Sequence, residues 1–78
     1  MTRPGEPAPV DWKQRLGRKV SVRFRIHDDP EHPFSEAIGV VSSVTDTDGT
    51  EIVTIVDRRG VSTHIPARDL LASKLFPL

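Results

Sequence analysis

An all-β fold is what the sequence predicts: a small five-stranded barrel with one short helical turn ahead of it and a 3-10 turn before the last strand. Three observations carry this. In KVSVRFRI, Lys19 to Ile26, apolar residues alternate with basic or hydroxyl-bearing ones, the pattern of a strand with one face in a core and one in water. The β-branched runs that follow are parted by tight-turn signals at Asp48-Gly49 and at Asp57 to Gly60. Finally, PARDL opens with Pro66, which has no N–H to lose in a first helical turn, and is too short for more than a 3-10 turn, after which LASKLF forms a last short strand.

Taken in order, residues 1–10 hold Pro4, Pro7 and Pro9 and little to bury, and read as a flexible tail ahead of a single domain over 11–78. In VDWKQRLGRKV, Asp11 can cap a helical turn that Gly17 ends in a left-handed conformation. Trp12 and Leu16, four apart, are expected on one face of that turn. Trp12 then forms a lid on the core, with an exposed ligand-binding aromatic as the alternative. Val20, Val22, Phe24 and Ile26 line the inner side of the first strand. EAIGVVSSV is the second strand, with Ile38 and Val40 inward and Gly39 marking a bulge or bend. EIVTIV is the third and VSTHI the fourth, the latter with Val61, Thr63 and Ile65 on one side. The expected core is Val20, Val22, Phe24, Ile38, Val40, Val53, Ile55, Val61, Ile65 and Leu70. Four meandering strands, one helical turn and a fifth strand is the order of an SH3-like barrel, whose last strand returns against the first and removes an exposed edge.

A chain of 78 residues supports one core, because so short a chain buries only about 60–65% of its unfolded surface. A deep, enclosed active site is not expected. The absence of cysteine excludes disulfides, thiolate chemistry and Cys-based zinc sites. Neither a membrane-length apolar run nor the apolar centre of a signal peptide is present, so the expected location is the cytoplasm. The zero net charge conceals a segregation along the chain. Between Lys13 and Arg25 lie Lys13, Arg15, Arg18, Lys19, Arg23 and Arg25 without an acid, whereas His27 to Asp57 carries eight acids and neither Lys nor Arg. Such blocks pair across a sheet face, which is the expectation here. Alternatively, the basic block forms a face that meets a partner.

The segment RIHDDPEHPFSE, Arg25 to Glu36, has the composition of a metal or catalytic site. Only His27 and His32 offer nitrogen there, however, with no helix to hold them on one face, and structural zinc asks for four converging N or S ligands. The segment is therefore expected to be a solvated first hairpin loop, with Phe34 tucked over the barrel mouth. The serines lack a glycine-flanked nucleophile turn, and His64 falls on the outer face of the fourth strand. Asp28 and Asp29, adjacent in an extended loop, point apart. RLGRK has one glycine and no preceding strand, so it is not a phosphate cradle. No catalytic, cofactor-binding or metal-binding residue is assigned. Native zinc on His27 and His32 would reopen that question.

The stretches GRKVSVRFRI, EAIGVVSSV and VTIVDRRGVSTHIPARDLLASKLFP resemble the SH3-like domain at the N-terminus of actinobacterial GNAT-family acetyltransferases, some of them histone acetyltransferase-like. The likeness rests on Gly17-Arg18-Lys19-Val20, the Gly-Val step at Gly39-Val40, DRRG, and Ala67 and Asp69 before LLASK, and extends from Gly17 to Pro77. It implies a non-catalytic accessory module. The family's acetyl-CoA site lies in a separate domain with a glycine-rich pyrophosphate loop that this chain lacks. Relatives continue through a linker beyond the position of Leu78, and their first loop is shorter than His27 to Phe34. The implied partner is a GNAT catalytic domain in cis or another protein, and self-association through a strand face is a further expectation. The alternative function is a nucleic-acid-binding barrel using the basic outer face of the first strand. The expected interaction surface comprises Arg18, Lys19, Arg23, Arg25, Trp12 and Phe34.

Overall fold

In the computed structural model, which describes residues 10–77, most residues lie in one antiparallel sheet of five strands. A 3-10 turn, Trp12–Arg15, precedes β1 (Lys19–Arg25), β2 (Phe34–Thr47), β3 (Thr50–Val56) and β4 (Ser62–Pro66). A second 3-10 turn, Ala67–Asp69, then leads into β5 (Leu70–Leu75). The strand order is β4-β3-β2-β1-β5, so the last strand lies against the first as expected. The sheet is not closed: β4 and β5 are its edges. Except for Val10, which packs on the core, the expected tail over 1–10 falls outside the described residues.

The long second strand serves two neighbours in succession. Phe34 to Val40 pair with β1, and Val40 to Thr47 pair with β3. Val40 alone belongs to both ladders, facing Lys19 on one side and Val56 on the other. Two local devices sit at this changeover. Gly39 points inward, where an added Cβ would lie 2.7 Å from the Val56 carbonyl carbon and 3.0 Å from Ile55 Cγ2. Three residues later the register shifts between Val41 and Ser43, which makes Ser42 the extra residue of a β-bulge and reverses which alternate side chains face the core. Of the bulge or bend expected at Gly39, the bulge lies at Ser42, and Gly39 itself is required for close backbone approach.

That geometry corrects the phase of β2. The inward residues are Ala37, Gly39 and Val41, continuing with Val44 after the bulge, while Ile38 and Val40 face outward at 53% and 40% exposure. The core consists of Trp12, Val20, Val22, Val41, Val53, Ile55 and Ile65, with Val10, Phe24, Ala37, Val44, Ala67 and Leu70 packed against it. Val61 also leaves the expected core and is exposed. Its N–H is bound by the Asp57 carboxylate and its carbonyl by the Asp57 N–H, which ties it to the turn before β4 begins.

The turns follow their sequence signals. Asp48 and Gly49 both have positive φ, 51° and 78°, the two-residue hairpin geometry that Asp-Gly favours. At the N-terminal turn Asp11 Oδ1 accepts from the Lys13 N–H at 3.2 Å, and Gly17 takes a left-handed φ of 80°. The Gly17 N–H then donates to the Val41 carbonyl, and the Val41 N–H to that of Arg18. Leu16, expected beside Trp12, is exposed. A 3-10 turn repeats every three residues, so Arg15 and not Leu16 stands over the indole, 5.4 Å from its centroid.

Three substitutions separate these roles. Ile55→Ala should cost about 2–5 kcal/mol by leaving a cavity, and Gly39→Ala about 1–3 kcal/mol by forcing β2 off β3. Ile38→Ala should change stability by about 0.5 kcal/mol or less. Urea denaturation of the three variants checks the order; equal losses at Ile55 and Ile38 would contradict the described register.

Candidate interaction surface

Directly paired residues on antiparallel strands point to the same side of the sheet. Because Val20 and Val22 are buried, Lys19, Ser21, Arg23 and Arg25 define the outer face of β1. Their partners on β2 are Val40, Ile38, Glu36 and Phe34. Beyond β1 on the other side, Ala72 lies across from Arg23 and Lys74 across from Ser21. Phe76 extends the line past the end of β5, its N–H bound to the Lys19 carbonyl at 3.0 Å.

Cations and aromatic rings are paired on this face. The Arg23 guanidinium lies 5.0 Å from the Phe34 ring centroid, and Lys19 Nζ lies 5.0 Å from that of Phe76. Contacts of this kind contribute about 0.5–1 kcal/mol where exposed. Phe34 thus lies on the outer sheet face at the start of β2, 43% exposed, instead of tucking over the barrel mouth. The Arg25–Phe34 pairing in the ladder puts it there. A shallow open depression lined by Arg23, Phe34, Ser35 and Glu36 lies beside it.

Two of the expected surface residues are engaged elsewhere. Trp12 is buried in the core, the lid that its position suggested, and is not available to a ligand. Arg18 is half-buried just before β1; its Nη2 donates to the Phe76 carbonyl at 3.1 Å, and its Nε has no hydrogen-bond partner among the described residues. It anchors the chain after β5 rather than facing outward. Lys19, Arg23, Arg25 and Phe34 remain exposed together. Ile38, Val40 and Lys74 join them, with the half-buried Phe76 at their edge. Of these, Lys74 and Phe76 were legible from the two-residue alternation of the last strand.

Of the expected pairing between the charge blocks, the ladder shows Arg23 opposite Glu36 but no ion pair. Among the described residues the ion pairs are His27–Asp69, His32–Asp29 and Arg59–Asp57, and none joins a base of 13–25 to an acid of 28–57. Glu36 faces Arg23 across the ladder, but that guanidinium is turned onto Phe34. At the hairpin end Asp46 faces Glu51 directly, two like charges that repel.

The loop between β1 and β2 is organised by its own side chains. Asp29 Oδ1 accepts from the N–H groups of Glu31 and His32, and Asp29 Oδ2 lies 3.1 Å from His32 Nδ1. His27 turns away from these and meets Asp69 of the second 3-10 turn at 2.9 Å. The two imidazoles therefore serve different carboxylates. Among the described residues no group of three or more His, Asp or Glu side chains is placed to hold a metal ion. His64 lies on the outer face of β4, with Nδ1 2.8 Å from Oγ1 of the buried Thr54. The described residues contain no helix long and apolar enough to cross a membrane.

Asp57 holds the β3–β4 turn. Hydrogen bonding from the Val61 N–H does most to hold its carboxyl below the ordinary value; desolvation opposes it, and the N–H and guanidinium of Arg59 and the N–H of Gly60 act in the same direction as Val61. Comparison with known protein families, with curated proteins and with solved structures finds no match.

A folded-state value below the unfolded one means that Asp57 adds stability above the ordinary value of 3.8, which is lost as pH falls through its folded-state value. Asp57→Asn should accordingly flatten the decline of stability on the acid side of that point. Thermal melts of both proteins between neutral and strongly acid pH check this, and parallel profiles would contradict it.

Proposed function

We propose that this chain is a non-catalytic interaction module, an SH3-like barrel that meets another protein through the outer face of β1 and its neighbours. The strand order, with a 3-10 turn before a last strand that lies on the first, supports the barrel as the finer description of the sheet. One observation carries the function: Lys19, Arg23 and Arg25 stand exposed beside solvent-facing Phe34, Ile38 and Val40, and no ion pair among the described residues joins them to the acidic block. Uncompensated charge beside exposed apolar surface is the composition of a protein interface more than of a freely solvated face. The resemblance to the head domain of GNAT acetyltransferases supports a catalytic acetyltransferase domain as the covalent neighbour, with this module serving it from the cytoplasm.

Photocrosslinking in cells that express the protein tests the reading, with a photoreactive residue replacing Glu36 on the outer face and, separately, Thr47 in the β2–β3 hairpin. Protein crosslinks from at least one position are expected. Crosslinks to nucleic acid alone, or none from either position, would overturn it in favour of the nucleic-acid-binding alternative or of no binding role. The mass of the native gene product tests the covalent attachment. A product several times heavier than 8.7 kDa, with acetyl-CoA-dependent activity in its remainder, is expected; a product of this length alone excludes attachment in cis.

A further inference from the structure

The side chains of Ile38 and Val40 lie outside the core. The close approach at Gly39 fixes which side of β2 faces the core, and Ile38 and Val40 thereby project into solvent, with Val56 directly across from Val40. Together with Phe34 they form an apolar row along the first half of β2. Parallel to it on β1, in direct register, runs a cationic row: Arg25 beside Phe34, Arg23 beside Glu36 and Lys19 beside Val40. Lys74 of β5 fills the gap in the cationic row left by Ser21.

We propose that this two-row face docks an acidic amphipathic helix of a protein partner, whose apolar side chains cover Ile38, Val40 and Val56 while its carboxylates meet Lys19, Arg23, Arg25 and Lys74. The proposal rests on the interaction-module reading and specifies the partner's chemistry. The dimensions fit. Phe34 to Val40 spans about 20 Å of strand, the length of about 13 helical residues.

Charge selects among occupants. A second copy using the same patch would oppose like cations, since a two-fold interface brings a surface against itself. Nucleic acid has little use for an aliphatic row, and the rings of Phe34 and Phe76 each already carry a cation, Arg23 and Lys19, on one face. Carboxylates borne on an apolar scaffold satisfy both rows at once.

Amide chemical-shift titrations of the isotope-labelled chain test this with three probes: a 14-residue synthetic helix with a leucine face and a glutamate face, the same peptide with its leucines replaced by serine, and a short duplex DNA. Shifts at Ser21 to Arg25 and Glu36 to Val41 are expected with the first peptide. Ile38→Thr combined with Val40→Thr should weaken its binding at least ten-fold while retaining β-branched side chains. Arg23→Gln with Arg25→Gln should weaken it and remove most of its salt dependence. Both pairs lie on the exposed face, and unchanged melting temperatures confirm folded variants. No shifts on this face at millimolar peptide, equal binding of the serine peptide, or tighter binding of DNA through the same residues would each overturn the proposal. If protein crosslinks arise only from position 47 and the first peptide shifts none of these residues, the module reading stands and this assignment of face and partner fails.

Discussion

Two backbones, those of β2 and β3, come together at Gly39 with no room for a side chain between them. This close approach occurs where β2 stops pairing with β1 and starts pairing with β3. A strand that changes neighbours midway must bend, and the Ser42 bulge supplies the bend one turn of the pleat later. With β2 bent, the valines of β1 meet Val53, Ile55 and Ile65 from the other half of the sheet. The seven buried hydrophobic residues form one cluster because a single strand belongs to both halves.

The approach also divides labour between the faces. It spends a glycine and an alanine on the core side and leaves isoleucine and valine outside. Core volume is recovered from elsewhere: Trp12 folds in from the N-terminal turn, and Leu70 and Ala67 close in from the second 3-10 turn. The solvent-facing side acquires its aliphatic row as a by-product of backbone geometry, beside a strand whose alternation had already assigned its bases to that side.

The strands and turns were legible wherever one local signal dominated. KVSVRFRI has only one alternating phase, and Asp48-Gly49 has few alternatives to a tight hairpin. AIGVV is different, since it contains apolar residues in both phases, and side-chain size favours the even positions. What selects the odd ones is the distance to Val56 across the ladder, a property of tertiary structure that no window along the chain contains. Val61 illustrates the same limit, because the alternation of VSTHI is correct for Ile65 while hydrogen bonds to Asp57 hold Val61 outside the strand. At the surface, the bases of β1 were placed correctly by alternation. The role of Arg18 was not, since nothing local indicates that the Phe76 carbonyl comes within its reach. The aliphatic half of the face was invisible for the same reason as the β2 phase.

The charge distribution has a consequence that the total conceals. Lys19 lies across from Val40, and Asp46 is six residues further along the same strand, a path of about 20 Å. At physiological salt, fields decay over about 8 Å, so the basic face and the acidic hairpin end do not cancel each other at their own surfaces. The molecule as a whole is an electric dipole without a monopole. With no net charge, a charged partner acts on it first through a torque that orients it. Its electrostatics therefore govern the orientation of an encounter, turning the β1 side toward negative surfaces and the hairpin away, more than they govern how often encounters occur.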